Sequence, residues 1–256
     1  MSAFLDVNHS GETYRVLLKR APAARRFTLR IRAASRDVTL TMPRRSALAD
    51  ARDFAERHAA WIGARLKRLP APVPFAPGEI IPFRGVPHLI VHRPVMRGTV
   101  WIEPAPPDFT VNVLPGMETV EPKLLCVAGK EEHITRRVAD FLKANAKADL
   151  EAAVRRHAGA IGKKATSVTL RDTSSRWGSC TASGGLNFSW RLILAPPSVL
   201  DYLAAHEVCH LTHLNHSARF WALVSSICIE TDRPEAWLSA HGSSLHRYGK
   251  GVVVTI

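Results

Sequence analysis

Residues 70–79, "PAPVPFAPGE", place four prolines in ten positions, which forbids both a helix and a central strand there. Whatever regular structure precedes this stretch must stop at it, and whatever follows must start afresh. The 256 residues suffice for one large domain or two modest ones, and the proline run marks a linker or rigid crossover.

Before the prolines the pattern is of period two. "TYRVLL", "RFTLRIR" and "DVTLTM" alternate apolar and polar residues, predicting short antiparallel strands in a small β-meander. Residues 46–69 then change to helical spacing, with Leu48, Ala51, Phe54, Ala55, Ile62 and Leu66 on one face and Ser46 at a plausible N-cap. This helix is expected to pack on the meander. After the prolines, "HLIVHR", "TVWIE" and "FTVNVL" resume β patterning, so the expected division is a basic, β-rich region over 1–120 and a second domain over 121–256.

The second part opens on a helix from about Lys130 to His157, with Ile134, Val138, Phe141, Leu142 and Leu150 near one stripe and Gly159 as the expected C-terminal glycine. Two strands follow, "SVTLRD" and "GGLNFSWRLIL", joined by "TSSRWGSCTAS". Prolines then introduce a helix through Val199, Leu200, Leu203 and Ala204, and two shorter helices complete the chain. The expected fold class is α+β.

Composition narrows the function classes. With 46% apolar and 22% charged residues the chain reads as globular. It shows no signal-peptide plan and no apolar run near the roughly 20 residues of a spanning helix, so no membrane partner and a cytoplasmic location are expected. Cys126, Cys180, Cys209 and Cys228 form no CxxC pair and read as free packing thiols. The formal charge is +13, and residues 1–70 hold fifteen Lys/Arg against six Asp/Glu. Such a field attracts anions and raises nucleic acid as a possible partner of the basic N-terminal region. Oligomeric state is left open.

"HEVCHLTHLNHSARFW", residues 206–221, carries the chemistry. On a helix each residue turns about 100°, so His206 and His210 lie on one face within reach of one ion. Glu207 sits beside that face, where a general base for metal-bound water belongs. A catalytic zinc wants a third protein ligand and an open position. His213 shares the face but lies about 10 Å along a straight helix from His206, which suits a supporting or solvent-facing role. Glu230 could supply a carboxylate, though "IETDRPE" reads as an ordinary helix end. His216 is favoured, because a chain leaving the helix at Leu214 and turning through Asn215 can swing it back to the metal. The spacing is shared with metzincins, but His213 stands where they carry glycine, and the last methionine is Met117.

Together "RWGSC" (176–180) and "GGLNFSWRLILAPPSVLDYLAAHEVCHLTHLNHSARFW" (184–221) resemble the YgjP-like bacterial metallopeptidases, relatives of SprT-type proteases. The likeness is strongest from about Leu170 to Trp221. It implies a zincin-like catalytic domain, a helix against a small mixed sheet, with His206, His210 and His216 on Zn2+ and Glu207 as catalytic glutamate. The implied activity is peptide-bond hydrolysis by Glu-assisted attack of zinc-bound water on a polypeptide substrate. "GLNFSW" is the expected open edge for that substrate. Arg176, Trp177, Ser179 and Asn187 are candidate substrate contacts, with a buried anchoring role as the other reading for Trp177. Tyr202, His241, His246 and Tyr248 could donate to an oxyanion, though a structural role suits each better. Two other activities fit the same residues: a metal-dependent nucleotide phosphohydrolase (pyrophosphatase), and a nucleic-acid-associated SprT-type protease.

Overall fold

A computed structural model describes residues 3–32, 36–107, 109 and 121–249. The fold is α+β, with three small mixed sheets and six α-helices among the described residues. Contacts divide the chain into two compact units, 1–71 and 72–256, so the division falls at the head of the proline run and not after residue 120. The strands after the prolines bury Ile81, Phe83, Ile90, Leu125 and Val127 in the core of the second unit, which explains the earlier boundary. The expected strand "FTVNVL" lies outside the described residues except for Phe109.

The first unit contains β1 (Ala3–His9), β2 (Glu12–Ala21), β3 (Thr28–Ile31) and β4 (Val38–Pro43) in the order β1-β2-β4-β3. It is not a meander: β4 lies parallel to β2, and β3 folds back antiparallel along β4's outer side. The even period is nevertheless kept, with Val38, Leu40 and Met42 inward and Thr39 and Thr41 outward. The helix expected over 46–69 is two, α1 (Leu48–Arg57) and α2 (Ala59–Lys67), broken at His58 (φ −102°, ψ 8°). Ala47, not Ser46, occupies the N-cap, without a side-chain bond. Ala51, Ala55, Ala59 and Ile62 press against the inward strand residues to form an apolar core.

In the second unit, β5 (Ile80–Phe83), β6 (Val86–Arg93), β8 (Lys123–Ala128) and β7 (Val100–Pro104) form one sheet. Helix α3 (Ile134–Ala160) buries Ile134, Val138, Leu142, Ala146, Leu150 and Val154 at steps of four, a continuous stripe. Each large apolar side chain so covered contributes roughly 1.5–3 kcal/mol. The helix runs past Gly159, and the capping glycine is Gly162 at φ +63°, where the Lys163 N–H donates to the Ala158 carbonyl at 2.8 Å.

A third sheet has the order β10-β11-β9: β10 (Gly178–Cys180), β11 (Gly185–Ser189) and β9 (Ser167–Arg171). Beyond β11, "WRLIL" forms a 3-10 turn rather than more strand. Within this turn Arg191, only 5% exposed, ion-pairs with Asp172 at 2.6 Å and donates to the carbonyls of Leu245 and Tyr248 at 3.2 and 2.7 Å. One guanidinium thus ties three stretches of the chain. Helix α4 (Pro197–Cys209), with proline in its first turn, is buried on nearly every side and packs against α3, β10, α5 (Ala218–Ile227) and α6 (Asp232–His241). Among the described residues no helix is long and apolar enough to cross a membrane.

Candidate metal centre

Helix α4 presents His206 in its last turn and ends at Cys209, so His210 forms the C-cap. The chain then leaves the helix and returns to α5 within eight residues, bringing His216 back. One ligand nitrogen from each of His206, His210 and His216 lies within 4.8 Å of the others. His206 Nε2 and His216 Nε2 stand 3.0 Å apart. Two nitrogens on one tetrahedral zinc, at about 2.0–2.1 Å each, stand about 3.3 Å apart, so the trio fits such an ion.

Local contacts set each ring. The Nδ1 of His210 is 2.9 Å from the His213 carbonyl oxygen, and a proton donated there leaves Nε2 with its lone pair free for a metal. His213 therefore serves through its backbone, and its imidazole stays out of the trio. Phe220, fully buried on α5, lies beneath all three rings at centroid distances of 5.0, 4.6 and 4.8 Å. Trp221 borders His206 and His216 at 5.7 and 5.8 Å and remains partly exposed. Burial, with His210 and His216 adding to it, pushes the His206 imidazole down to about 4, so it is neutral and ready to ligate at pH 7. Neither Phe220 nor Trp221 was singled out from sequence; an aromatic pair four residues after the last histidine was the available signal.

Glu207 is 5% exposed, and burial pushes its carboxyl up to about 7 against the opposing pull of Arg176. Its carboxyl group lies over Gly178: a Cβ there would stand 2.7 Å from Glu207 Cγ and 2.8 Å from Cδ. The glycine of "RWGSC" is thus required by close approach.

Among the described residues the sheet ends on β10 and β9, and the edge that meets Glu207 is β10, not the expected β11. Strand β11 is central, paired to β10 on one side and β9 on the other. Its nearly continuous burial on both faces is that of an interior strand. The Ser189 N–H donates to the Trp177 carbonyl and the Thr181 N–H to that of Gly185, each at 2.8 Å. By antiparallel alternation, Gly178 and Cys180 turn their own N–H and C=O groups outward.

Arg176, Trp177, Ser179 and Asn187 share a cleft of about 230 Å3. Alternation along β10 sets Ser179 and its partner Asn187 on the sheet face opposite to that which Gly178 turns to Glu207. Trp177 stacks on His246 at 5.0 Å and lies against Gly242, an anchor for the carboxyl-terminal segment. Tyr202 lies 6.1 Å from His206, and burial raises its pKa. His241 packs on Trp237 at 5.3 Å, and Tyr248 is buried beside a bridge to Val73. Glu230 pairs with Arg233 at 3.3 Å and, like Cys180 and Cys209, does not join the nitrogen trio. Burial raises both thiols, Cys209 to about 11, as suits packing groups.

No curated relative and no solved structure matches the chain. A family model, the YgjP-like metallopeptidase domain, matches residues 25–241. That match spans most of the chain and includes the trio, the buried glutamate and the edge strand: the protein belongs to the YgjP-like metallopeptidase family.

Proposed function

We propose that this chain is a zinc-dependent peptidase of zincin type, with His206, His210 and His216 as metal ligands and Glu207 as general base. The observation that carries the reading is the buried Glu207 carboxyl, one residue from His206 and pressed against an open strand edge. Three imidazoles with no carboxylate are a donor set that suits zinc and leaves a fourth position open. A divalent cation there supplies a Lewis acid, which polarises a scissile carbonyl and acidifies water.

Glu207, buried beside the histidine trio, takes a proton from water and delivers it to the leaving amine. An extended polypeptide pairs with the outward N–H and C=O groups of Gly178 and Cys180, which sets its backbone along α4. Phe220 holds the three rings from below.

A second reading has one observation behind it: Arg171 and Arg176 line the same cleft and could grip a nucleotide, making the reaction phosphoanhydride hydrolysis. One experiment separates the two. Purified protein is assayed for bound metal by elemental analysis, for casein digestion and for release from nucleoside triphosphates. Wild type, Glu207→Gln and His216→Ala are run side by side. The proposal expects about one zinc per chain, casein turnover reduced about 10²–10⁴-fold by Glu207→Gln with metal retained, and metal lost in His216→Ala. Casein digestion unchanged by Glu207→Gln, or metal retained in His216→Ala, overturns it.

A further inference from the structure

Among the described residues, the helices of the first unit cover one face of its sheet and leave the other open. Cross-strand register puts Phe4, Leu17, Thr39 and Arg30 in one row of that open face, with Lys19, Thr41 and Thr28 in the next. Arg15 pairs with Asp6 at 3.0 Å and holds its guanidinium over one side of the Phe4 ring, 5.9 Å from the centroid. Phe4 is 56% exposed, a large aromatic surface facing water.

The strand ends add to this face. Ala21 of β2 is level with Pro43 of β4, so the turns that follow these strands emerge at the same end of the sheet. They carry Arg25 and Arg26 in one, Arg44 and Arg45 in the other, all exposed. Arg20 braces this end by donating to the carbonyls of Arg44 and Ser46 at 2.7 and 2.9 Å. Among the described residues the ion pairs of this unit are Arg15–Asp6 and Lys67–Glu12, so Lys19, Arg30 and the four turn arginines have no acidic partner. The acids of α1, Asp50, Asp53 and Glu56, ride on the helix layer instead.

We infer that the open face of the β1-β2-β4-β3 sheet binds single-stranded nucleic acid, with bases laid on Phe4 and phosphates held by Lys19, Arg30 and the turn arginines. Unpaired cations around a flat surface are complementary to a polyanion. An exposed aromatic ring, with threonine hydroxyls between it and the cations, offers what a base needs for stacking and a sugar-phosphate chain needs for hydrogen bonds. Four strands at about 4.8 Å give a platform about 14 Å wide, room for the roughly four nucleotides of a small single-strand site. A duplex is read by a helix or ribbon inserted into a groove, and here both helices lie on the other face. This inference stands apart from the proposed peptidase chemistry, because none of its residues belongs to the metal centre.

The test is fluorescence anisotropy of a labelled oligothymidylate of about twelve nucleotides with the full-length chain, titrated over a range of salt. Binding is expected at low salt and should weaken as salt rises. The triple variant Lys19→Glu, Arg30→Glu, Arg44→Glu should weaken it at least tenfold and flatten the plot of log K against log salt by about two, near 0.7 per lost phosphate contact. Phe4→Ala, at an exposed position that spares the fold, should weaken it about tenfold with the slope unchanged. Thermal melting checks that each variant is folded, and Phe4→Ala decides the matter if the triple variant is not. No binding at low salt overturns the inference, as does a Phe4→Ala variant that binds like wild type. Equal affinity for heparin, for a duplex of the same length or for phosphatidylserine vesicles overturns it too.

Discussion

The two units differ in what they bury. Among the described residues the first has an interior of Leu5, Val7, Tyr14, Val16, Val38, Leu40, Met42 and helix alanines, with no charged side chain in it. The second buries His88, His157, Ser189, Arg191, Glu207 and His246. A polar group withdrawn from water costs stability unless something answers it. An interior that accepts six such groups has been shaped by more than the need to fold. The charges of the first unit face water, where a partner can meet them; these six polar groups of the second are enclosed, where they can be held in one orientation.

This contrast is open to measurement, and the largest effect should come from the answered charge. Arg191→Met removes the guanidinium that joins Asp172 to the carbonyls of Leu245 and Tyr248. It leaves two buried carbonyls without that donor, at about 1–3 kcal/mol each, beside a half-exposed Asp172, and should destabilise the second unit by about 2–5 kcal/mol in urea denaturation followed by tryptophan fluorescence. A loss below about 1 kcal/mol would mean that this buried charge is no more costly to remove than a surface one.

Glu207 is the opposite case, a buried carboxyl with no cationic partner in contact. In metal-free protein its pKa of about 7 exceeds the ordinary 4.5, so the folded state holds the proton more tightly than the unfolded chain. Stability contributed by that proton is complete below about pH 4.5 and is lost as pH rises through 7. In EDTA at pH 8, Glu207→Gln should therefore be more stable than wild type by about 3 kcal/mol, and the gap should close toward pH 5. Parallel melting curves across that range would show that the carboxyl is solvated.

Gly178→Ala drives a methyl group into Glu207 and should lower peptidase turnover about a hundredfold, about 2.7 kcal/mol, with metal content unchanged. Wild-type turnover in this variant would detach the glycine from the site. The smallest effect belongs to the first unit: Arg15→Met breaks the exposed pair with Asp6 and should cost less than about 1 kcal/mol.

What could be read from sequence followed the strength of each local signal. The gathering of His206, His210 and His216 was legible because helical spacing fixes two of them and the short stretch before the next helix returns the third, although the helix ends at Cys209 and not at Leu214, and Asn215 does not take the expected left-handed turn. The stripe of α3 was legible for the same reason of period. Strand β10 was not: three residues, "GSC", carry neither alternation nor β-branched side chains, so "GLNFSW" reads as the edge although its strand residues, Gly185–Ser189, lie between two partners. The parallel pairing of β2 with β4 is a tertiary choice that no period of two encodes. The break at His58 escaped notice because its neighbours keep the helical spacing on both sides. Nor does spacing reveal that Phe220, from another helix, lies under all three imidazoles.

The shortness of β10 has a consequence of its own. Three residues of unpaired edge measure about 10 Å, so a chain lying there is gripped through only a handful of amides. A folded domain arrives with its amides already engaged and has little to offer so short a ruler. Loose ends, unstructured loops and partly unravelled proteins do, which would make disorder in the visitor, more than any side chain it carries, the first condition for being cut.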